Sequence, residues 1–132
     1  MRIAFDLQGI QSEASRLRGI GRYSFEIVKN ILENGSDHEY ILFANGALKD
    51  VKFEFKDQLK SSNVSYFIWY SPCPLDYRKE FKPKFTLAKY LRSYALSNLN
   101  IDVLIITSFL EGFNDNCLTE IDHDSFKGRV VT

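Results

Sequence analysis

Four short apolar runs, alternating with stretches of helical periodicity, constrain the fold of this chain more than any other feature. The runs have the β-branched and aromatic composition of buried strands, and they lie at residues 3–7, 39–44, 64–69 and 101–107. Apolar side chains recur at helical spacing in residues 20–32, 47–60 and 85–98, and residues 129–132 indicate the start of a further strand. The alternation predicts an α/β fold, a Rossmann-like three-layer domain with a mainly parallel sheet.

Length and composition favour a single globular domain. A chain of 132 residues with 45% hydrophobic residues has enough apolar surface for a core of its own. The 17 basic and 17 acidic residues cancel, which argues against a nucleic-acid-binding protein. No apolar stretch has the length of a signal peptide or a membrane span, so we expect a cytoplasmic protein.

The cysteines and histidines lack the spacing of a metal site. Cys73 and Cys117 are far apart in the chain, and neither His38 nor His123 is close to them in sequence. We therefore expect no metal site and two ordinary reduced cysteines.

A glycine-containing loop follows the first apolar run and leads into a helix. After Gly9, the residues of interest are Arg18, Gly19, Ile20, Gly21 and Arg22. Such a loop directs backbone N–H groups outward at the positive end of a helix dipole, where a phosphate can bind. Glycine permits positive φ and lets a ligand approach the backbone closely. The spacing is not the dinucleotide fingerprint, because Ser24 stands where the third glycine would be. The alternative is that the glycines only form a tight turn into the helix.

A second polar loop leaves the run at residues 101–107, beginning at Ser108 and including Glu111 and Gly112. Open parallel sheets bind ligands at the carboxyl ends of their strands, so we expect this loop to lie beside the glycine loop. Glu111 is a functional candidate, with a solvated loop carboxylate as the alternative. Asp6 is expected to be a strand-end residue that orders the first loop.

Residues 77–94 combine basic and aromatic side chains. The basic residues are Arg78, Lys79, Lys82, Lys84, Lys89 and Arg92. They could bind an anionic lipid surface, and the alternative is a solvated helix face.

Several of these segments together resemble the amino-terminal part of family 4 glycosyltransferases, with the greatest likeness to bacterial mannosyltransferases that build O-antigen and similar polysaccharides. The segments are residues 1–9, 18–23, 34–40 and 108–112. The resemblance implies a GT-B fold, in which two Rossmann-like domains face each other across a cleft. Residues 1–132 would then be the acceptor-side domain, truncated before the donor-binding domain.

The resemblance also implies a chemistry. Such enzymes transfer a sugar from a nucleotide-sugar donor, here a GDP- or UDP-sugar, to a glycan or lipid-linked glycan, with retention of configuration and no obligatory metal or other cofactor. The loop from Arg18 to Arg22 would lie near the donor diphosphate, and Ser108, Glu111 and Gly112 would face the acceptor side of the cleft. No catalytic residue is assigned. The chain alone is expected to be inactive without its carboxyl-terminal domain, and the enzyme is expected to be cytoplasmic and peripheral to the inner membrane face.

A different class of protein fits part of the same pattern. A non-catalytic module of flavodoxin-like type that binds a nucleotide or phosphate, or an interaction domain, would also place loops at one sheet edge. A phosphoacceptor receiver is disfavoured, because it needs clustered acids after its first strand, where this chain has Asp6 alone.

Overall fold

The structure is a computed structural model that describes residues 1–70, 82–108 and 117–132, without the side chains of Lys82 and Lys84. Within these residues, five parallel strands form one sheet in the order β3-β2-β1-β4-β5. The strands are β1 (Arg2–Asp6), β2 (Glu39–Asn45), β3 (Val64–Trp69), β4 (Val103–Ile106) and β5 (Arg129–Val131). The helices are α1 (Gln8–Gln11), α2 (Gly19–Asn34) and α3 (Lys82–Asn98). The predicted α/β fold with a parallel sheet is confirmed.

The strand order places β1 at the point where the direction of winding reverses. Phe5 of β1 is in register with Leu42 of β2 on one side and with Ile105 of β4 on the other. This is the order of a dinucleotide-binding Rossmann sheet, whereas a flavodoxin-like sheet has its second strand at the edge. The flavodoxin-like alternative is therefore wrong for the fold. A crevice is expected outside the carboxyl ends of β1 and β4, where the winding reverses.

Both faces of the sheet are buried, which explains why its strands are almost continuously apolar. Successive residues of β1 point to opposite faces: Ala4 packs in one core with Leu96 of α3, and Phe5 packs in the other with Val28 of α2. The result is the expected arrangement of helix, sheet and helix in three layers.

The helix predicted for residues 47–60 is wrong. The structure has two short 3₁₀ segments there, Lys52–Phe55 and Gln58–Lys60. The Asp50 carboxylate accepts a hydrogen bond from the Lys52 N–H at 2.9 Å, which offers the backbone a local alternative to helical bonding. Phe55 is wholly buried while Phe53 is 75% exposed. One tight turn is therefore enough to place the Phe55 side chain in the core.

Candidate functional site

The carboxyl ends of β1 and β4 meet the first turns of α2 around Gly9. A Cβ built at Gly9 would lie 3.1 Å from Ser108 Cβ, 3.6 Å from Ser24 Oγ and 3.7 Å from Thr107 Oγ1. Thr107 and Ser108 follow β4 directly, so the expected proximity of the two loops is confirmed at this point. A side chain at position 9 would require Ser108 to shift by a few tenths of an ångström.

Two hydroxyl groups beside Gly9 have no hydrogen-bond partner among the described residues. They are Ser24 Oγ, on a side chain that is wholly buried, and Thr107 Oγ1. Buried polar atoms are nearly always paired in folded proteins. With respect to the described residues, the two hydroxyls therefore have unused hydrogen-bonding capacity beside Gly9.

The predicted glycine loop is the first turn of α2. The helix begins at Gly19, after an extended Arg18, with no side-chain cap and no acidic residue in its first turn. The N–H of Gly21 donates to Ser15 O at 3.2 Å, whereas the described residues provide no partner for the N–H groups of Gly19 and Ile20. Residues 18–20 and 22 are exposed. The positive end of the helix is thus exposed, and two of its N–H groups have no partner in the part of the chain that the structure describes.

The expected positive φ at the glycines is wrong, since neither Gly19 nor Gly21 adopts the left-handed conformation. A Cβ at Gly21 would lie 2.4 Å from Ser15 O and 2.5 Å from Arg16 Cα, so the chain's own backbone requires glycine there. At Gly19 a Cβ would meet nothing within 4 Å. Gly21 therefore allows the tight approach to the helix, and the space beside Gly19 is free for a ligand.

A cavity of about 400 Å³ adjoins this turn, lined by Ile10, Arg16, Leu17, Gly21, Arg22, Phe25, Glu26, Lys49, Val51 and Glu54. A larger cavity of about 750 Å³ lies at the opposite edge of the sheet, beside Asp102 and Arg129. We assign the candidate site to the first edge, because ligands of open parallel sheets bind at the carboxyl ends of strands.

Asp6 orders the start of the loop, as the sequence predicts. Its Oδ1 accepts a hydrogen bond from the Gln8 N–H at 3.1 Å, and its Oδ2 accepts one from Gln8 Nε2 at 3.0 Å. Arg92 Nη2 donates to the same Oδ2 at 2.5 Å. The carboxylate is therefore held on both sides and faces the core, not the crevice.

Arg92 does not belong to an exposed basic surface, and that prediction is wrong. Its side chain is fully buried, paired with Asp6, and its Nη1 donates to Thr119 O at 3.3 Å and Glu120 O at 2.8 Å. A cation is tolerated in the core here because a carboxylate and two carbonyls compensate its lost hydration. The pair fastens α3 and residues 117–120 to the end of β1.

An amide network beside this pair was not predicted. Gln8 Oε1 accepts from Asn45 Nδ2 at 2.9 Å and from the Leu118 N–H at 2.7 Å. Gln11 Oε1 accepts from the Asn45 N–H at 2.8 Å, and its Nε2 donates to Lys49 O at 2.8 Å. The sequence feature that could have indicated this network is the presence of polar residues directly after β1 and at the end of β2. The network ties the start of α1 to the end of β2 and to Leu118.

Four of the other predicted site residues are not covered by the structure. Arg78, Lys79, Glu111 and Gly112 lie outside the described residues. Lys82, Lys84 and Lys89 are on α3. Lys89 is half-buried, and hydrogen bonds from Ser125 together with the charge of Lys89 lower the pKa of Asp122.

Two features are absent from the described residues. None of their helices has both the length and the apolar character needed to cross a membrane. Their histidines, cysteines and acids form no group of three or more that could hold a metal ion.

The chain is similar to three curated proteins, each a "Serotype-specific mannosyltransferase WbdA" of Escherichia coli. The first is 32% identical over 137 aligned residues, which cover 99% of this chain and 16% of the relative. The other two are 28% and 27% identical, each covering 76% of this chain and 13% of the relative. No protein-family model matches the chain, and no solved structure does so at a significant level.

This chain thus spans about a sixth, or less, of the length of the curated relatives it matches. The similarity extends over nearly the whole chain in the first comparison, and the parallel sheet is consistent with it. The resemblance drawn from the sequence is confirmed: the chain is similar to a part of bacterial O-antigen mannosyltransferases.

Proposed function

We propose that this chain is the acceptor-side domain of a retaining glycosyltransferase that transfers mannose or a related hexose from a nucleotide-sugar during O-antigen synthesis. The observation that carries the proposal is the 32% identity to a mannosyltransferase over 99% of the chain. The chain's share of that relative, 16%, supports the view that further domains are needed for activity. The domain alone is then inactive, because it lacks the second wall of the cleft.

The first turn of α2 is the proposed contact for the donor diphosphate. The N–H groups of Gly19 and Ile20, for which the described residues provide no partner, offer hydrogen bonds to phosphate oxygens, and the positive helix end favours negative charge. Arg18 and Arg22, both exposed, can add charge-assisted bonds. These groups supply the charge neutralisation that a metal ion provides in other transferases, which is consistent with metal-independent transfer.

The acceptor side of the cleft is assigned to the loop that begins at Ser108, with Glu111 and Gly112 further along it. Ser108 is close to Gly9, and the hydroxyls of Ser24 and Thr107, which have no partner among the described residues, also lie beside Gly9. A sugar hydroxyl or a phosphate oxygen would satisfy both groups. The crevice is therefore suited to a polar, oxygen-rich ligand.

Sugar transfer by the full-length polypeptide tests the proposal. It is incubated with GDP-mannose, and separately with UDP-sugars, in the presence of a lipid-linked glycan acceptor, and proton NMR of the product reports the anomeric configuration. We expect retained configuration with one donor class, turnover in the presence of EDTA, and no turnover by residues 1–132 alone. Transfer by the short chain alone, inversion, or no transfer with any donor would contradict the proposal.

A matched pair of substitutions tests the diphosphate contact. Gly19→Asp adds a negative charge where a side chain has room, and Gly19→Asn adds the same shape without charge. An acid in the first turn of a helix stabilises the fold, so a loss of function in Gly19→Asp is not explained by unfolding. We expect the KM for the donor to rise about tenfold more in Gly19→Asp than in Gly19→Asn, equivalent to ~1.4 kcal/mol. Equal KM values in the two variants would remove this turn from the donor site.

A further inference from the structure

A small cavity lies at the carboxyl ends of β2 and β3, on the same sheet edge as the candidate site. Its volume is about 130 Å³, and its lining includes Gly46, Asp50, Tyr66 and Tyr70. We call it the β2–β3 pocket. Neighbouring strands are about 4.8 Å apart, so the strand order places this pocket on the order of 10 Å from the crevice outside β1 and β4.

Tyr70 provides an open aromatic ring at the mouth of the pocket. The ring lies against the backbone of Gly46, where a built Cβ would be 2.5 Å from Tyr70 Cδ1. The Gly46 N–H donates to Trp69 O at 2.8 Å, which continues the pairing of β2 with β3 beneath the ring. The Tyr70 side chain is nevertheless 69% exposed. A ring supported by backbone and open to solvent offers an apolar surface on which the C–H groups of a ligand can pack.

Hydrogen-bond acceptors lie in the same pocket. The Tyr66 hydroxyl donates to Asp50 Oδ1 at 3.1 Å, and the Lys52 N–H donates to the same oxygen at 2.9 Å. Both of these bonds end on Oδ1, so Asp50 Oδ2 can accept from a ligand. Burial and the hydrogen bond to Asp50 raise the pKa of Tyr66, so its phenol stays protonated and its oxygen keeps a lone pair for a donor.

The charge and size of the pocket favour a neutral ligand with several hydroxyl groups. Its lining, in the part of the chain that the structure describes, includes the acid Asp50 and no basic residue, which disfavours a phosphate. Lys52 is not in the lining; its Nζ lies over the Tyr66 ring, 5.8 Å from the centroid. A hydroxyl that donates to a carboxylate forms a charge-assisted bond. A volume well below the roughly 300–1,000 Å³ of pockets for larger ligands suits a single ring.

We propose that the β2–β3 pocket is a subsite for one hexose ring of the acceptor glycan, apart from the unit that receives the new sugar. The C–H face of the hexose packs on Tyr70, and its hydroxyls donate to Asp50 and Tyr66. The pocket and the crevice are separated by more than one sugar ring, so an acceptor that reaches both is an oligosaccharide. The inference rests on the proposed function, which supplies the glycan.

The amide network joins the pocket to the end of β1. Gln11 and Asn45 are in the lining of the pocket, and Asn45 Nδ2 donates to Gln8 Oε1 at 2.9 Å. Gln8 follows β1 and its Asp6 directly. A glycan that extends from the crevice to the pocket therefore follows one continuous edge of the sheet.

NMR titration of the ¹⁵N-labelled chain tests the subsite. The probes are α-linked mannotriose, methyl α-mannoside, GDP and UDP, each added alone. Tyr70→Ala removes the ring, Tyr70→Phe keeps the ring without its hydroxyl, and Gly46→Ala keeps the ring but displaces it. The matched control is Tyr94→Ala, which removes a tyrosine that is 64% exposed on α3. Circular dichroism checks that each variant is folded.

We expect mannotriose to shift the amide signals of Gly46 and Tyr70 and to bind more tightly than methyl α-mannoside. The Kd for mannotriose should rise at least about fivefold in Tyr70→Ala and in Gly46→Ala, and change less than about twofold in Tyr70→Phe and Tyr94→Ala.

The inference is overturned if mannotriose shifts neither signal, if Tyr70→Ala binds it like the wild type, or if the single sugar binds as tightly as mannotriose. Shifts of these two signals by GDP or UDP in place of the saccharides would assign the pocket to the donor nucleotide and also overturn it. The titration does not measure transfer. A failure of transfer by the full-length polypeptide would therefore contradict the proposed function and leave a measured saccharide site in place.

Discussion

Replacing Arg92 by methionine tests the buried ion pair that fastens α3 to the end of β1. Methionine has a similar length and no charge, so it fills much of the space but leaves the Asp6 carboxylate without its cation. Both side chains are almost completely inaccessible, at 0% and 1%, and the Nη2 to Oδ2 distance is 2.5 Å. Two carbonyls, of Thr119 and Glu120, lose a donor as well.

The expected cost follows from the burial of the pair. Removing one partner of a buried ion pair costs about 3–5 kcal/mol, because the remaining charge is left without compensation in a medium of low dielectric. For a chain of this size, a urea m-value of about 2 kcal/mol/M converts that loss into a midpoint lower by roughly 2 M. The double variant Asp6→Asn with Arg92→Met should lose less than the sum of the two single variants, since it strands no charge.

Urea unfolding followed by circular dichroism measures these differences. The matched control is Arg22→Met, the same substitution at an exposed position, for which we expect a change within about 0.5 kcal/mol. If Arg92→Met unfolds within about 0.3 M of the wild type with the same m-value, the pair does not hold the fold together in the way argued from its burial.

Three further predictions concern single residues. Gly21→Ala should destabilise the chain by about 1–3 kcal/mol in urea unfolding, because its Cβ would overlap Ser15 O at 2.4 Å, and equality with Gly19→Ala would contradict this. Ser24→Ala should leave the urea midpoint unchanged or higher, since its buried Oγ has no partner among the described residues, yet it should weaken acceptor binding in the full-length protein; a marked loss of stability would count against an unpaired hydroxyl. Burial and a hydrogen bond to Asp50 raise the pKa of Tyr66 above its usual value, so the neutral phenol favours the folded state and stability should fall as pH rises above about 10, where the unfolded tyrosine ionises. Tyr66→Phe should show a shallower loss of the urea midpoint between pH 9 and 11, and parallel profiles would contradict the assignment.

The strands and the long helices could be predicted from local pattern alone. Buried strands of a parallel sheet are apolar on both faces, so residues 39–44 and 64–69 are visible as short runs without knowledge of their neighbours. The end of α2 at Asn34 was also predictable, because Gly35 follows it. The role of Asp6 was inferred correctly from its place at a strand end.

The content of the site depended on contacts that sequence spacing does not reveal. The sequence favours a surface position for Arg92, because its partner, Asp6, is 86 positions away in the chain. The link from Gln8 to Leu118 spans 110 positions and exists only after β1 and β4 are neighbours. The strand order could not be derived from the sequence. The location of the crevice depends on that order, so it could not be derived either. The sequence analysis interpreted Gly21 as a residue of a ligand-binding loop, whereas the structure shows that the chain's own backbone requires glycine there.

Hydrogen exchange of the full-length protein, with and without GDP-mannose or a UDP-sugar, tests most directly whether this sheet edge holds the donor. The account predicts slower exchange on donor binding at the amides of Gly19 and Ile20. Amides at the opposite edge, such as those of residues 36–38, should exchange at the same rate in both samples. Protection confined to the opposite edge, or to segments outside this chain with none at Gly19 and Ile20, would contradict the account.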